Sequence, residues 1–403
     1  MNRFKIFLGS MLMFSYLMAV EESDPQYIKK ITNVHDDDIH GISFINKKNC
    51  LISGSKDTTI KIFDLNEDKI KEISTNNKNK SYERWVTAID TFEDGSLVAG
   101  YRNGFLLCKD PFTGYTFTSG FINQLDKGGK KIYKQKNMQR ITGVKCLRSG
   151  LWKDYSALIG VPEQFYHYNF ETNKIINSFS FSYPDWVYGF CQVNSNSVVV
   201  IHGCCLSLFK FIDDSKKQLT KWEMFDEIVR NPKIKQAQRP FISSVSSMDT
   251  EPEQKRVILS LFGGTTKVVN IETKQILHET HEHTGRVWQS APLSPYEYMS
   301  CADDAMIKIW DMRVSQNSIR TYGKHPGRVS ALALLKDYYF VAGTCPENPH
   351  ESLNKGEFYF YDIRMGEKKF KTNEAEEEKK ETILVENSTS NLAKDFSVQL
   401  NIK

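Results

Sequence analysis

The residues best placed to do chemistry lie between His283 and Arg313, where His283, Ser300, Asp304 and Trp310 follow one another across two apolar runs. No convincing catalytic set is found among them or elsewhere. There is no G-x-S-x-G elbow, no phosphate-binding glycine loop and no zinc-protease HExxH anywhere in the chain. The spacing suits a structural network better. Asp304 falls in a turn four residues after Ser300, where a carboxylate accepts from backbone N–H groups and from an imidazole. The Ser300 hydroxyl and the Trp310 indole N–H complete such a set. Buried polar groups must be paired, so a network of this kind would fix strand register. The run His278-Glu279-Thr280-His281-Glu282-His283 could be read as a metal site. His283 is already assigned to the network and the other residues fall on a strand end and a loop, so no metal and no cofactor is expected.

The elements that must position these residues are short strands. Ile307 and Ile309 alternate toward Trp310-Asp311, the pattern of a half-buried strand. The offsets recur twice. His35, Ile39, Ser53, Asp57 and Phe63-Asp64 repeat them with Phe in place of Trp, and His325, Val329 and Tyr361-Asp362 repeat them around a long insertion. In this the chain resembles the WD-repeat family, whose units carry a histidine near the start and close on Trp-Asp. The resemblance implies an all-β propeller of four-stranded antiparallel blades that binds partners and performs no catalysis. Phe63 has no N–H to donate, so its network is expected to be incomplete.

Seven blades are expected from seven entry strands, each with a leading residue followed by apolar, two variable and apolar positions. These begin at Asp38, Trp85, Arg140, Trp186, Phe241, Arg286 and Arg328, spaced 42 to 55 residues apart. The middle four lack the His and Trp-Asp marks, and rings of six or eight blades are the alternatives. Tyr27–Asn33 is the candidate for the strand that closes the ring, with Lys368–Thr372 as the competitor. The propeller then spans 27–370. Gly120–Gln139 is expected to be a loop, Trp222–Arg239 a helix or ordered loop outside the ring, Cys345–Gly356 an extended turn, and 371–403 a polar tail.

Before the propeller, residues 1–20 join a basic head to the uncharged run Ile6–Val20 and read as a signal peptide, which implies export; an apolar N-terminal segment on a cytoplasmic protein is the alternative, and any membrane contact would be made through it. The eight cysteines sit mostly in apolar strand runs, include no CxxC pair and do not look like a disulfide framework. With 53 Lys and Arg against 49 Asp and Glu, the net charge of +4 implies no strong nucleic-acid field. The loop lysines Lys127, Lys130, Lys131, Lys134 and Lys136 read as solvated, with phosphate or anionic lipid as the lesser alternative.

The entry residues suggest the function. In the implied fold, Asp38, Trp85, Arg140, Trp186, Phe241, Arg286 and Arg328 form a ring on the face where the family commonly binds partners. Trp and Arg dominate binding energy at protein interfaces. A protein or peptide partner for a monomeric propeller within a complex is therefore expected. A second resemblance concerns Trp310-Asp311-Met312-Arg313 and Tyr361-Asp362-Ile363-Arg364, which look like the endings of WD-repeat substrate receptors for cullin–RING ubiquitin ligases. It implies Arg313 and Arg364 as adaptor contacts. A propeller enzyme would need convergent carboxylates at the channel mouth, where Asp38 is the only acidic ring member.

Overall fold

The computed structural model describes residues 27–73, 84–121, 140–147, 155–181, 186–194, 197–212, 215–223, 241–248, 255–314, 316–323, 325–336, 338–345, 355–365 and 367–368. The apolar leader, the lysine loop and the polar tail lie outside them. Seven antiparallel sheets follow one another along the chain. Blade one comprises Ile39–Ile45, Cys50–Ser55, Ile60–Asp64 and Lys69–Ile73. Blades two to five are entered by Val86–Thr91, Gly143–Cys146, Val187–Asn194 and Ile242–Ser247, each followed by three more strands of its own sheet. Blade six runs from Val287–Pro292 to Arg320–Tyr322, and blade seven from Val329–Leu334 to Gly356–Asp362.

The ring is closed by the N-terminal strand. Lys29–His35 lies antiparallel to Gly356–Asp362, with Lys30 opposite Tyr359 and Ile31 opposite Phe358, and supplies the fourth strand of blade seven. Of the competing segment Lys368–Thr372, residues 369–372 lie outside the described residues, and Lys368 belongs to Glu367–Lys368, which pairs with Arg320 and Thr321 as a fifth strand on the outer edge of blade six. Closure matters because an unpaired edge would present a row of free backbone groups. Two expected boundaries shift. Trp222 and Glu223 belong instead to Ser215–Glu223, the outer strand of blade four, which pairs Trp222 with Leu206; the rest of Trp222–Arg239 lies outside the described residues. Gly120 belongs to the strand Thr116–Phe121.

The entry motif has a geometric explanation. Its two apolar residues are three apart, and a regular strand with its period of two would put them on opposite faces. In six of the seven entry strands the register shifts between the first and third motif residues, at Ile39/Gly41, Val86/Ala88, Val187/Gly189, Ile242/Ser244, Val287/Gln289 and Val329/Ala331. A bulge of this kind adds one residue, bends the strand and re-aims a side chain. Here it returns both apolar positions to the space between blades, where Ile39 and Ile42 are buried with Phe358 and Phe360 of blade seven. Other clusters likewise join neighbours, such as Ile52 and Ile60 with Val86, Leu97 and Ala99. The seams are tight enough to exclude side chains: a Cβ at Gly54 would stand 2.5 Å from Val86 Cγ1, and one at Gly100 would stand 2.2 Å from Ile141 Cγ2.

Candidate binding face and channel

The polar networks come first, because they hold the loops that build this face. In blade six, His283 Nδ1 donates to Asp304 Oδ2 at 2.8 Å, and Ser300 Oγ lies 2.8 Å from His283 Nε2. Trp310 Nε1 donates to the same Ser300 Oγ at 2.8 Å. The hydroxyl therefore accepts from the indole and donates to the imidazole, which fixes the ring with its proton on Nδ1. Asp304 also accepts from the backbone N–H groups of Thr284 and Met306. Burial pushes its carboxyl upward, but the His283 contact and the two backbone donors outweigh it and hold the pKa below the usual value. The set pins the turn between the second and third strands, which passes through Ala305 at a φ of 60°.

Blade one repeats the arrangement without the indole. His35 reaches Asp57 at 2.9 Å and Ser53 at 2.7 Å, and Asp57 accepts from Asp36, from the Thr59 amide and from the Thr59 hydroxyl. Phe63 packs its ring against Phe358 and Phe360, with centroids 6.5 and 6.0 Å away. Phe63 thus joins blade one to blade seven through apolar contact. Blade seven uses a third solution. His325 Nδ1 donates to the carbonyl of Ala305 in blade six at 2.7 Å, which leaves Nε2 to accept from the Tyr361 hydroxyl. Burial lowers the pKa of His325 to about 4. The histidine run holds no common centre: His278 faces the Tyr298 hydroxyl, His281 faces Glu279, and His283 faces Asp304.

In every blade, with or without the register shift, the second motif residue faces the ring axis. Those residues are His40, Thr87, Thr142, Tyr188, Ser243, Trp288 and Ser330, and all seven line a central channel of about 560 Å³. Four of them clasp the next blade. Thr87 donates to the carbonyl of Ile141 at 2.6 Å, Thr142 to that of Val187, Ser243 to that of Val287, and Ser330 to that of Ile39. The acceptor is always the first apolar residue of the following entry strand. The other three, His40, Tyr188 and Trp288, project large rings into the channel. None of these seven was singled out from sequence. The available signal was their common place two residues after each leading residue, with Thr or Ser at four of them.

The leading residues surround the mouth of this channel. Trp85, Arg140, Trp186, Phe241, Arg286 and Arg328 are all partly exposed. Asp38 differs, being buried, because its carboxylate is taken by Arg328 and by Lys56 at 3.4 Å. It serves to anchor Arg328. Trp85 lies between Lys56 and Arg102, whose charges stand 4.6 and 5.0 Å from its ring. Trp186, Tyr188, Phe262 and Phe241 form an aromatic arc with successive centroids 6.0 to 6.3 Å apart. Arg313 and Arg364 end up on the opposite face, because they follow third strands while the leading residues precede first strands. Each turns back onto its own aspartate, Arg313 onto Asp311 and Arg364 onto Asp362, while its charge sits over Tyr296 or Tyr338.

A closed ring of seven antiparallel sheets, with a complete histidine–serine–aspartate–tryptophan network in blade six, is the architecture of a WD-repeat β-propeller. The family model "WD domain, G-beta repeat" matches residues 27–64 and 274–311, the stretches holding the two networks with a serine and an aspartate. No curated protein sequence matches the chain. Among solved structures, one described as "Structure of U3-55K" superposes with a TM-score of 0.63 at 12% identity, covering 83% of this chain and 99% of that one. At that identity the likeness speaks for the fold.

Proposed function

We propose that the protein is a non-catalytic platform that takes a protein or peptide partner on the face ringed by the leading residues. WD-repeat propellers generally mediate protein–protein interaction, and the observation that favours this face is the partly exposed set of Arg140, Trp186, Arg286 and Arg328 lining one channel, with Trp85 and Phe241 partly exposed beside it. A closed ring presents such residues already ordered, which lowers the entropic cost of association. Most of the affinity would come from the aromatic and arginine anchors. The test is affinity capture with mass spectrometry using the full chain and a Trp186→Ala, Arg286→Ala, Arg328→Ala variant of unchanged circular dichroism. Partners retained by the variant as well as by the parent would remove this face from consideration.

A receptor role in a cullin–RING ligase is the second reading. It is favoured by the matched corners at Arg313 and Arg364, whose guanidinium groups remain more than half exposed although each pairs with its own aspartate. Capture of an adaptor by the parent chain and its loss in an Arg313→Ala, Arg364→Ala variant is the expected result; no adaptor in either would dismiss it.

A further inference from the structure

Among the described residues, the channel mouth holds a cation that makes no ion pair. Arg286 packs against two rings, its guanidinium carbon 3.8 Å from the centroid of Phe262 and 3.7 Å from that of Trp288. Its Nε is buried without a hydrogen-bond acceptor among the described residues. No carboxylate lies within ion-pair distance of it among the described residues. The nearest candidate, Asp303, accepts from the Trp288 indole N–H at 2.6 Å. Burial lowers the pKa of Arg286 to about 10, helped by Arg328 and Arg140 and opposed by Asp303, and the group is still charged at neutral pH.

The surroundings add to the imbalance. Arg140, Lys145, Arg286 and Arg328 line the channel, and Asp90 is the one carboxylate among the lining residues. Asp90 is held by Lys145 at 3.3 Å. Arg328 is answered from behind by the buried Asp38. Arg286 as a whole is partly exposed, but a buried polar atom such as its Nε is costly to leave without a partner. A cleft with one sign of charge and low-dielectric walls also concentrates ligands of the other sign. The volume of about 560 Å³ admits a side chain or short segment, well below the size of a folded domain.

We infer that the partner of this face is an acidic peptide segment that inserts an anionic side chain, a carboxylate or a phosphate, into the channel to meet the edge of Arg286 between Phe262 and Trp288. This rests on the binding-face reading above and gives it a chemistry. A guanidinium packed against aromatic rings keeps its fixed fork of N–H donors, which recognises an oxyanion in its own plane. The buried Asp38 competes for the same field, so it should restrain affinity.

The test uses the full chain with fluorescein-labelled octapeptides read by anisotropy at low and physiological salt. The probes are octaglutamate, a Gly-Ser octapeptide with one phosphoserine, the same peptide unphosphorylated, and octalysine. Arg286→Met keeps an apolar filler between the two rings while removing the charge, and Asp38→Asn removes the competing carboxylate. We expect at least one anionic probe to bind, with affinity falling about tenfold or more in R286M and rising in D38N. Binding by octaglutamate assigns a carboxylate, and binding by the phosphoserine peptide alone assigns a phosphate. The inference is overturned if R286M binds the anionic probes as the parent does, if octalysine or the neutral peptide binds equally, or if no probe binds. In the capture experiment, partners lost by the triple alanine variant but kept by R286M would also overturn it while leaving the binding face standing.

Discussion

Removing the Ser300 hydroxyl should destabilise the protein more than removing the equivalent Ser53 hydroxyl, by the cost of one orphaned indole N–H. In blade six, Ser300→Ala strips a partner from both His283 Nε2 and Trp310 Nε1, and all three residues are buried. Leaving a buried polar group unsatisfied costs about 1–3 kcal/mol, so the substitution should cost about 2–6 kcal/mol. In blade one, Ser53→Ala orphans His35 Nε2, and the aromatic residue beside it, Phe63, has no N–H to lose. There the expected cost is about 1–3 kcal/mol. A double-mutant cycle isolates the difference: with Trp310→Phe already in place, Ser300→Ala should cost about what Ser53→Ala does. The assay is urea unfolding by circular dichroism and intrinsic fluorescence, accepted where the two transitions coincide. Equal costs for Ser300→Ala and Ser53→Ala, or strict additivity of Ser300→Ala and Trp310→Phe, would refute the account of a hydroxyl shared between imidazole and indole.

Other expectations follow from the seams and the buried groups. Gly100→Val should prevent soluble expression or cost several kcal/mol, because a Cβ there already meets Ile141; Gly114→Ala, at a surface turn with nothing within 4 Å, should lose about 1 kcal/mol from its positive φ alone, and similar losses in thermal scans would contradict the seam argument. Burial lowers His40, His167 and His325 to about 4, so between pH 6.5 and 4 the unfolded chain binds protons that the folded chain refuses. Stability should therefore rise with pH across that window, by up to about 1.4 kcal/mol per pH unit for each group, and a flat denaturation midpoint from pH 4 to 6.5 would be inconsistent with it. The eight buried cysteines are free thiols, with Cys191 and Cys345 pushed up to about 12 by burial. They should react with a thiol reagent only after denaturation, and rapid modification of the native protein would disprove their placement.

The blade count was legible because one motif recurs even where the His and Trp-Asp marks are missing. That motif records the seam, which every blade needs, and in six of seven blades the bulge that serves it, whereas the polar network is one of several ways to pin a turn. His325 shows this, reaching the Ala305 carbonyl and the Tyr361 hydroxyl instead of a serine and an aspartate. The channel lining was hidden for the opposite reason. A bulge is invisible to strand periodicity, so Thr87 or Trp288 could not be assigned to the axis without knowing that the strand kinks there. Asp38 was misplaced because its exposure depends on Arg328, far away in sequence and next to it only after the ring closes. Trp222 and its neighbours suggested a helix by spacing, yet pairing with Leu206 overrode that local preference.

The last blade is assembled from both ends of the chain: Lys29–His35 lies along Gly356–Asp362, and Ser330 clasps Ile39 across the same boundary. During synthesis, therefore, Lys29–His35 emerges about 320 residues before the strand it pairs with, and a chain cut short upstream of Gly356 would lack the partner that locks the ring.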